Sequence, residues 1–142
     1  MKKVILSFAV IVTAMMLTGC GVNGGTPTGI VKNLYSALQK SDYTKAAKIE
    51  LENTLEYAEL SKEMREAFVP LVAEEMQKYA EVYYEGGVKS FEITEAGEED
   101  DEGGVGIKVT DKSGDEHMVG YILFKKRDGK WWLNEKLNIS WR

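Results

Sequence analysis

Glu135 and His117 are the side chains whose positions in the sequence give them a chemical interpretation. Glu135 alternates with Trp131 and Leu133, so in a β-strand it would share their apolar face. A carboxylate that is removed from water has a raised pKa and can act as a general base. The structural alternative is a β-bulge near Asn134 that turns Glu135 outward, or a Lys or Tyr partner that satisfies it.

His117 is the one imidazole of the chain, and it stands beside Glu116 next to a predicted turn. Solvent exposure is the environment expected there, so His117 is not assigned a catalytic role. One His and one Cys argue against a typical zinc site. The chain also lacks a Gly-rich phosphate loop, a Gly-x-Ser-x-Gly elbow and a Cys-x-x-Cys pair, which argues against kinase, hydrolase and redox functions. No catalytic residue, metal or cofactor is therefore predicted.

An acidic segment from Glu95 to Glu102 holds six carboxylates in eight residues. Glu98, Asp100 and Glu102 alternate as the first ligands of an EF-hand do, but the twelfth position is Val109, where that loop needs a bidentate Glu. We therefore interpret the segment as a solvated hairpin loop. Weak binding of a divalent cation is the remaining alternative.

The first twenty residues have the features of a secretion signal. Met1-Lys2-Lys3 is basic, and the fourteen residues 4–17 carry no charge. That length is too short to cross a ~30 Å hydrocarbon core, which argues against a permanent membrane span. Leu17-Thr18-Gly19-Cys20 resembles the lipobox of bacterial lipoproteins. The resemblance implies a diacylglycerol on the Cys20 sulfur and removal of residues 1–19; a plain signal peptide is the alternative.

The predicted mature chain is acidic. Without residues 1–19 it keeps 16 basic and 23 acidic side chains, a formal charge of −7. This balance argues against a nucleic-acid partner, and membrane binding must come from the acyl chains on Cys20. Residues 20–25 contain three glycines and predict a flexible tether. We expect a lipid anchor in the cell membrane or the outer membrane, on the extracytoplasmic side; Gly21 after the cysteine resembles lipoproteins sent to an outer membrane.

Residues 26–142 have the pattern of a single α+β domain, with helices first and strands after them. Three helices are predicted: 27–40 after a Thr26 cap, a second from a Ser41 or Asp42 cap to about Leu60, and a third from a Ser61 cap to Gly86-Gly87. Pro70 should kink or split the third helix. The apolar period then changes from 3.6 to 2, which predicts four strands.

The last two predicted strands, 118–126 and 130–141, flank Asp128-Gly129, a dipeptide typical of a type I′ hairpin turn. Arg127 then faces Lys130, and one face becomes the core side of the sheet. That face would carry Met118, Ile122, Phe124, Trp131, Leu133, Leu137, Ile139 and Trp141. The predicted fold is therefore a set of N-terminal helices packed on a curved four-stranded antiparallel sheet.

The aromatic residues could line a ligand cavity or fill the core, and a chain of this size favours core packing. Tyr83 and Tyr84 are adjacent on a helix, so one of them should face a rim instead of the core. Glu135, Trp131 and Tyr83 are the candidates for a ligand pocket. The opposite face of the sheet would carry Tyr121, Leu123 and Trp132, which could form a homodimer patch.

The segment from Leu38 to Ala46, which contains Ser-Asp-Tyr, and the terminal Asp128-Gly129-Lys130-Trp131 resemble a group of bacterial lipoproteins. These proteins carry a domain of unknown function of the lumazine-binding-like kind, in the cystatin-like or nuclear-transport-factor-like superfamily. The resemblance implies a cone of helices and bent sheet over about residues 26–142. Members of the superfamily range from isomerases and dehydratases to binding modules, and no catalytic pattern of theirs transfers to this chain.

Two functions are compatible with the sequence. The first is a membrane-anchored, non-enzymatic binding or accessory module of the cell envelope, whose partner is an envelope protein, a polymer or a small ligand. The alternative is an isomerase or dehydratase of the same fold that acts on a small molecule with Glu135 as its base. A Glu135 side chain that points into a pocket would favour the alternative.

Overall fold

A computed structural model describes residues 25–134 of the chain, which form three α-helices and one sheet. The α-helices are α1 (Pro27–Gln39), α2 (Tyr43–Asn53) and α3 (Lys62–Tyr83), with a 3₁₀ turn at Leu55–Tyr57 before α3. The strands are β1 (Val88–Glu99), β2 (Glu102–Asp111), β3 (Glu116–Arg127) and β4 (Lys130–Leu133). The predicted α+β fold is confirmed, with the helices preceding an antiparallel sheet in the order β1-β2-β3-β4.

The predicted caps start the helices. The Thr26 hydroxyl accepts a hydrogen bond from the Gly29 amide at 3.1 Å, and Pro27 follows as the first helical residue. Asp42 caps α2, and the Ser61 hydroxyl accepts from the Met64 amide at 3.2 Å. Each cap satisfies an amide that lacks a partner within its helix, which fixes where the helix begins.

The second helix ends earlier than predicted, at Asn53 instead of about Leu60. Thr54 adopts an extended conformation and forms a parallel bridge with Leu133 of β4. A β-branched residue is well suited to that conformation. Backbone pairing with β4 therefore ends the helix at a point where the apolar period alone predicts that it continues.

Pro70 does not split the third helix, which runs unbroken over 22 residues. Proline leaves the carbonyl four residues earlier, that of Glu66, without its helical partner. Both Pro70 and Glu66 are exposed, so water can hydrogen-bond to that carbonyl. The fully buried apolar side chains of the helix, Met76 and Ala80, lie further along, and Val69 and Val72 beside the proline also pack against the core.

Two tight turns set the register of the sheet. Arg127 pairs with Lys130 around Asp128-Gly129, and both turn residues have positive φ, 54° and 78°. The predicted type I′ hairpin is therefore confirmed. Glu99 pairs with Glu102 around Asp100-Asp101, so the predicted hairpin is confirmed and its tip is exposed. The loop is shorter than predicted, because Glu95 to Glu99 belong to β1.

A β-bulge in β3 overturns the prediction that Met118 faces the core. Ile107 pairs with Gly120 but Lys108 pairs with Met118, so Val119 is an extra residue in β3. Gly120 has a φ of +85°, a conformation that glycine adopts without strain. The bulge reverses the alternation before it: Val119 is buried, whereas Met118 is 62% exposed. Leu137, Ile139 and Trp141 of the same predicted face lie outside the described residues.

The core lies between α1 and the inner face of the sheet. Its largest members each expose 2% or less of their surface: Ile30, Leu34, Tyr35, Leu38, Ile49, Ile107, Phe124 and Leu133. Tyr84 is buried and Tyr83 is 44% exposed, so the prediction that one of the two faces a rim is confirmed. None of the described helices is long and apolar enough to span a bilayer.

Candidate functional site

Two of the three predicted pocket residues, Trp131 and Tyr83, lie in different parts of the described domain. Trp131 is a core residue with 6% exposure and lies against Gly103 at the start of β2. Tyr83 belongs to the far end of the domain, because its neighbour Tyr84 contacts His117, which pairs with the C-terminal part of β2. Gly103 and Val109, the partner of His117, are six residues apart in β2, about 20 Å at ~3.3 Å per residue. Glu135 and Cys20 lie outside the described residues, so their roles stay predictions.

A buried carboxylate organises the turn at the far end of β2. Asp111 exposes 1% of its surface. Its Oδ1 accepts hydrogen bonds from the Ser113 amide at 2.9 Å, the Ser113 hydroxyl at 2.6 Å and the Asp115 amide at 3.0 Å. The Oδ2 atom lies 2.8 Å from Nε2 of His117. These hydrogen bonds, first that of the Ser113 hydroxyl and then that of His117, hold the pKa of Asp111 well below its ordinary value.

His117 is therefore oriented by a carboxylate. The sequence predicted a solvent-exposed side chain and did not predict this contact with Asp111. Because Asp111 stays ionised, it accepts from Nε2, which leaves Nδ1 of the neutral imidazole as the proton acceptor. The His117 side chain is 34% exposed, and its ring meets the Tyr84 ring edge-on at 5.1 Å between centroids. An imidazole oriented by a carboxylate is an arrangement that general acid–base catalysis uses.

Sequence reasoning missed Asp111. Its signal is the local pattern Asp111-Lys112-Ser113-Gly114-Asp115, in which an Asp precedes Ser and Gly, as in turns where the carboxylate caps the following amides. The Lys112 amide also donates to the Gly87 carbonyl at 3.0 Å, which ties this turn to the loop after α3. The same bonds that orient His117 thus stabilise the hairpin, and a structural role accounts for all of them.

The outer face of the sheet, away from the helices, carries an open groove of about 820 Å³ near the β1–β2 tip. Residues paired across antiparallel strands share a face, so the register shows which residues lie side by side in the groove. Gly97 pairs with Gly104, and Gly104 pairs with Leu123. Both glycines are buried, and Leu123, 53% exposed, stands beside Gly104.

Tyr121 lies flat over the neighbouring glycines of β2. A Cβ atom on Gly104 would come within 2.9 Å of the Tyr121 ring, and one on Gly106 within 3.2 Å. The ring is 45% exposed. Partial burial, and secondarily the Glu95 carboxylate to which the phenol is hydrogen-bonded, raises the pKa of Tyr121. The absence of side chains at both glycines thus leaves room for the Tyr121 ring, which covers them and presents an exposed aromatic surface.

Acidic residues dominate the charged rim of the groove. Four carboxylates, Glu99, Asp100, Asp101 and Glu102, line it together with two ammonium groups, Lys125 and Lys126. One of these, Lys125, lies 3.6 Å from Glu102. The rim therefore has an excess of negative charge beside an apolar wall.

Two of the three residues of the predicted homodimer patch, Tyr121 and Leu123, belong to this groove. The third, Trp132, is partly buried under Lys130, whose Nζ lies 4.0 Å from the ring centroid and donates to the Glu52 carbonyl at 3.1 Å. Burial lowers the pKa of Lys130. Lys130 therefore attaches the hairpin to α2 and covers Trp132, and homodimerisation stays a prediction.

Helices packed on one face of an open antiparallel sheet define a domain of the NTF2-like fold. The chain is similar to a crystal structure of a proposed NTF2-like transpeptidase from Campylobacter jejuni, with a TM-score of 0.52 and 21% identity over 78% of this chain and 99% of that one. At this identity the similarity shows the fold alone. The chain belongs to the family described as a domain of unknown function (DUF4878), whose model matches residues 18–134.

The chain is also similar to the solution structure of a SEC-C motif containing protein from Rhodopseudomonas palustris, with a TM-score of 0.49 and 16% identity over 89% of this chain and 87% of that one. The search of curated proteins found no significant match. The domain of unknown function and the nuclear-transport-factor-like fold predicted from the sequence are confirmed. The lumazine-binding-like assignment stays a prediction.

Proposed function

We propose that this protein is a lipid-anchored, extracytoplasmic binding module of the cell envelope that acts without catalysis through the outer face of its sheet. The membrane anchor is Cys20, acylated after removal of residues 1–19. The groove of Gly97, Gly104, Tyr121 and Leu123 is the binding surface.

The sequence of the first twenty residues supports the anchor. A basic start, an uncharged segment over residues 4–17 and the box Leu17-Thr18-Gly19-Cys20 occur in the order that lipoprotein processing requires. The family match begins at residue 18, so Cys20 lies within it. Acyl chains contribute about 0.8 kcal/mol per buried CH₂, and more than one chain gives stable attachment.

The open groove on the outer face of the sheet supports the binding part of the proposal. Between α1 and the sheet, large side chains such as Tyr35 and Phe124 are fully buried. The outer face has the opposite character, because the exposed side chains of Tyr121 and Leu123 line an open groove. Exposed apolar surface beside a concavity with a polar rim is typical of a binding site.

Intact mass spectrometry of the full chain, extracted in mild detergent from membranes of its host, tests the anchor. We expect a mass that corresponds to cleavage before Cys20 with added acyl chains, and we expect Cys20→Ala to leave the membrane fraction. An uncleaved and unmodified chain in the membrane would contradict the proposal. A small molecule that stays bound to the protein in a native mass spectrum would identify the class of ligand.

An acid–base enzyme is the second candidate, and the observation that favours it is the 2.8 Å contact between His117 and the buried Asp111. Activity of this kind would be abolished by His117→Ala and would depend on the protonation of one imidazole. Complementation of a deletion strain separates the two functions. Rescue by His117→Ala but not by Leu123→Ser favours binding on the outer face; the reverse pattern favours catalysis.

A further inference from the structure

We draw no further inference here: the strongest candidate, the surface patch that the exposed side chains of Met64, Leu71 and Val82 form along one face of α3, carries nothing, because nothing in the described part of the chain shows what covers it.

Discussion

Replacing Thr54 with Val should stabilise the domain, although Thr54 is fully buried. Its Oγ1 has no hydrogen-bond partner among the described contacts, and the residue exposes 0% of its surface. A hydroxyl buried without a partner costs roughly 1–3 kcal/mol in proteins. Val has nearly the same shape and favours the extended backbone that Thr54 adopts, with φ −100° and ψ 131°. We expect the free energy of unfolding to rise by about 1 kcal/mol.

Urea unfolding followed by tryptophan fluorescence measures this change. With a slope of ~2 kcal/mol/M, the midpoint should rise by about 0.5 M while the slope stays constant. Thr94→Val is the matched control, because Thr94 is an exposed residue of β1; its effect should stay within about 0.5 kcal/mol. A lower midpoint for Thr54→Val would refute the reasoning, since it would mean that the hydroxyl is satisfied by an ordered water.

Three further changes have defined outcomes. Asp111→Asn should destabilise the domain at pH 7. Because the pKa of Asp111 is lowered on folding, its contribution is present above the ordinary value of about 3.9 and is lost as the pH falls further, so unfolding curves of the two proteins should converge in acid. Gly129→Ala places a side chain at φ +78° and should cost about 1 kcal/mol in urea unfolding. Pro70→Ala restores a hydrogen bond inside α3 and should raise the thermal midpoint, with about 2 kcal/mol of stabilisation.

Local chemistry predicted where the helices begin and where the final hairpin turns. The caps at Thr26 and Ser61 act within three residues, and Asp128-Gly129 needs only its own backbone conformation. The end of α2 could not be predicted in this way. Thr54 leaves the helix because it pairs with Leu133, 79 positions later in the chain, and no local pattern records such a contact.

The candidate sites were predicted less well than the fold, for the same reason. Tyr121 and Leu123 could be placed on the outer face by alternation, but the groove that they line also depends on Gly97 and Gly104 being paired across two strands. The pairing in turn depends on the two-residue turn at Asp100-Asp101, which the acidic composition did not locate. A groove that is built from register becomes visible only when the register is known.

The bulge in β3 connects the error over Met118 with the environment of His117. Counting back from the buried Ile122, regular alternation would place Met118 on the inner face and His117 on the outer one. The extra residue reverses both, so His117 pairs with the buried Val109 and faces Tyr84 and Asp111. Gly120 is the signal for this, because glycine inside a strand marks a bulge. A single inserted residue therefore decides whether the one imidazole of the chain meets water or a buried carboxylate.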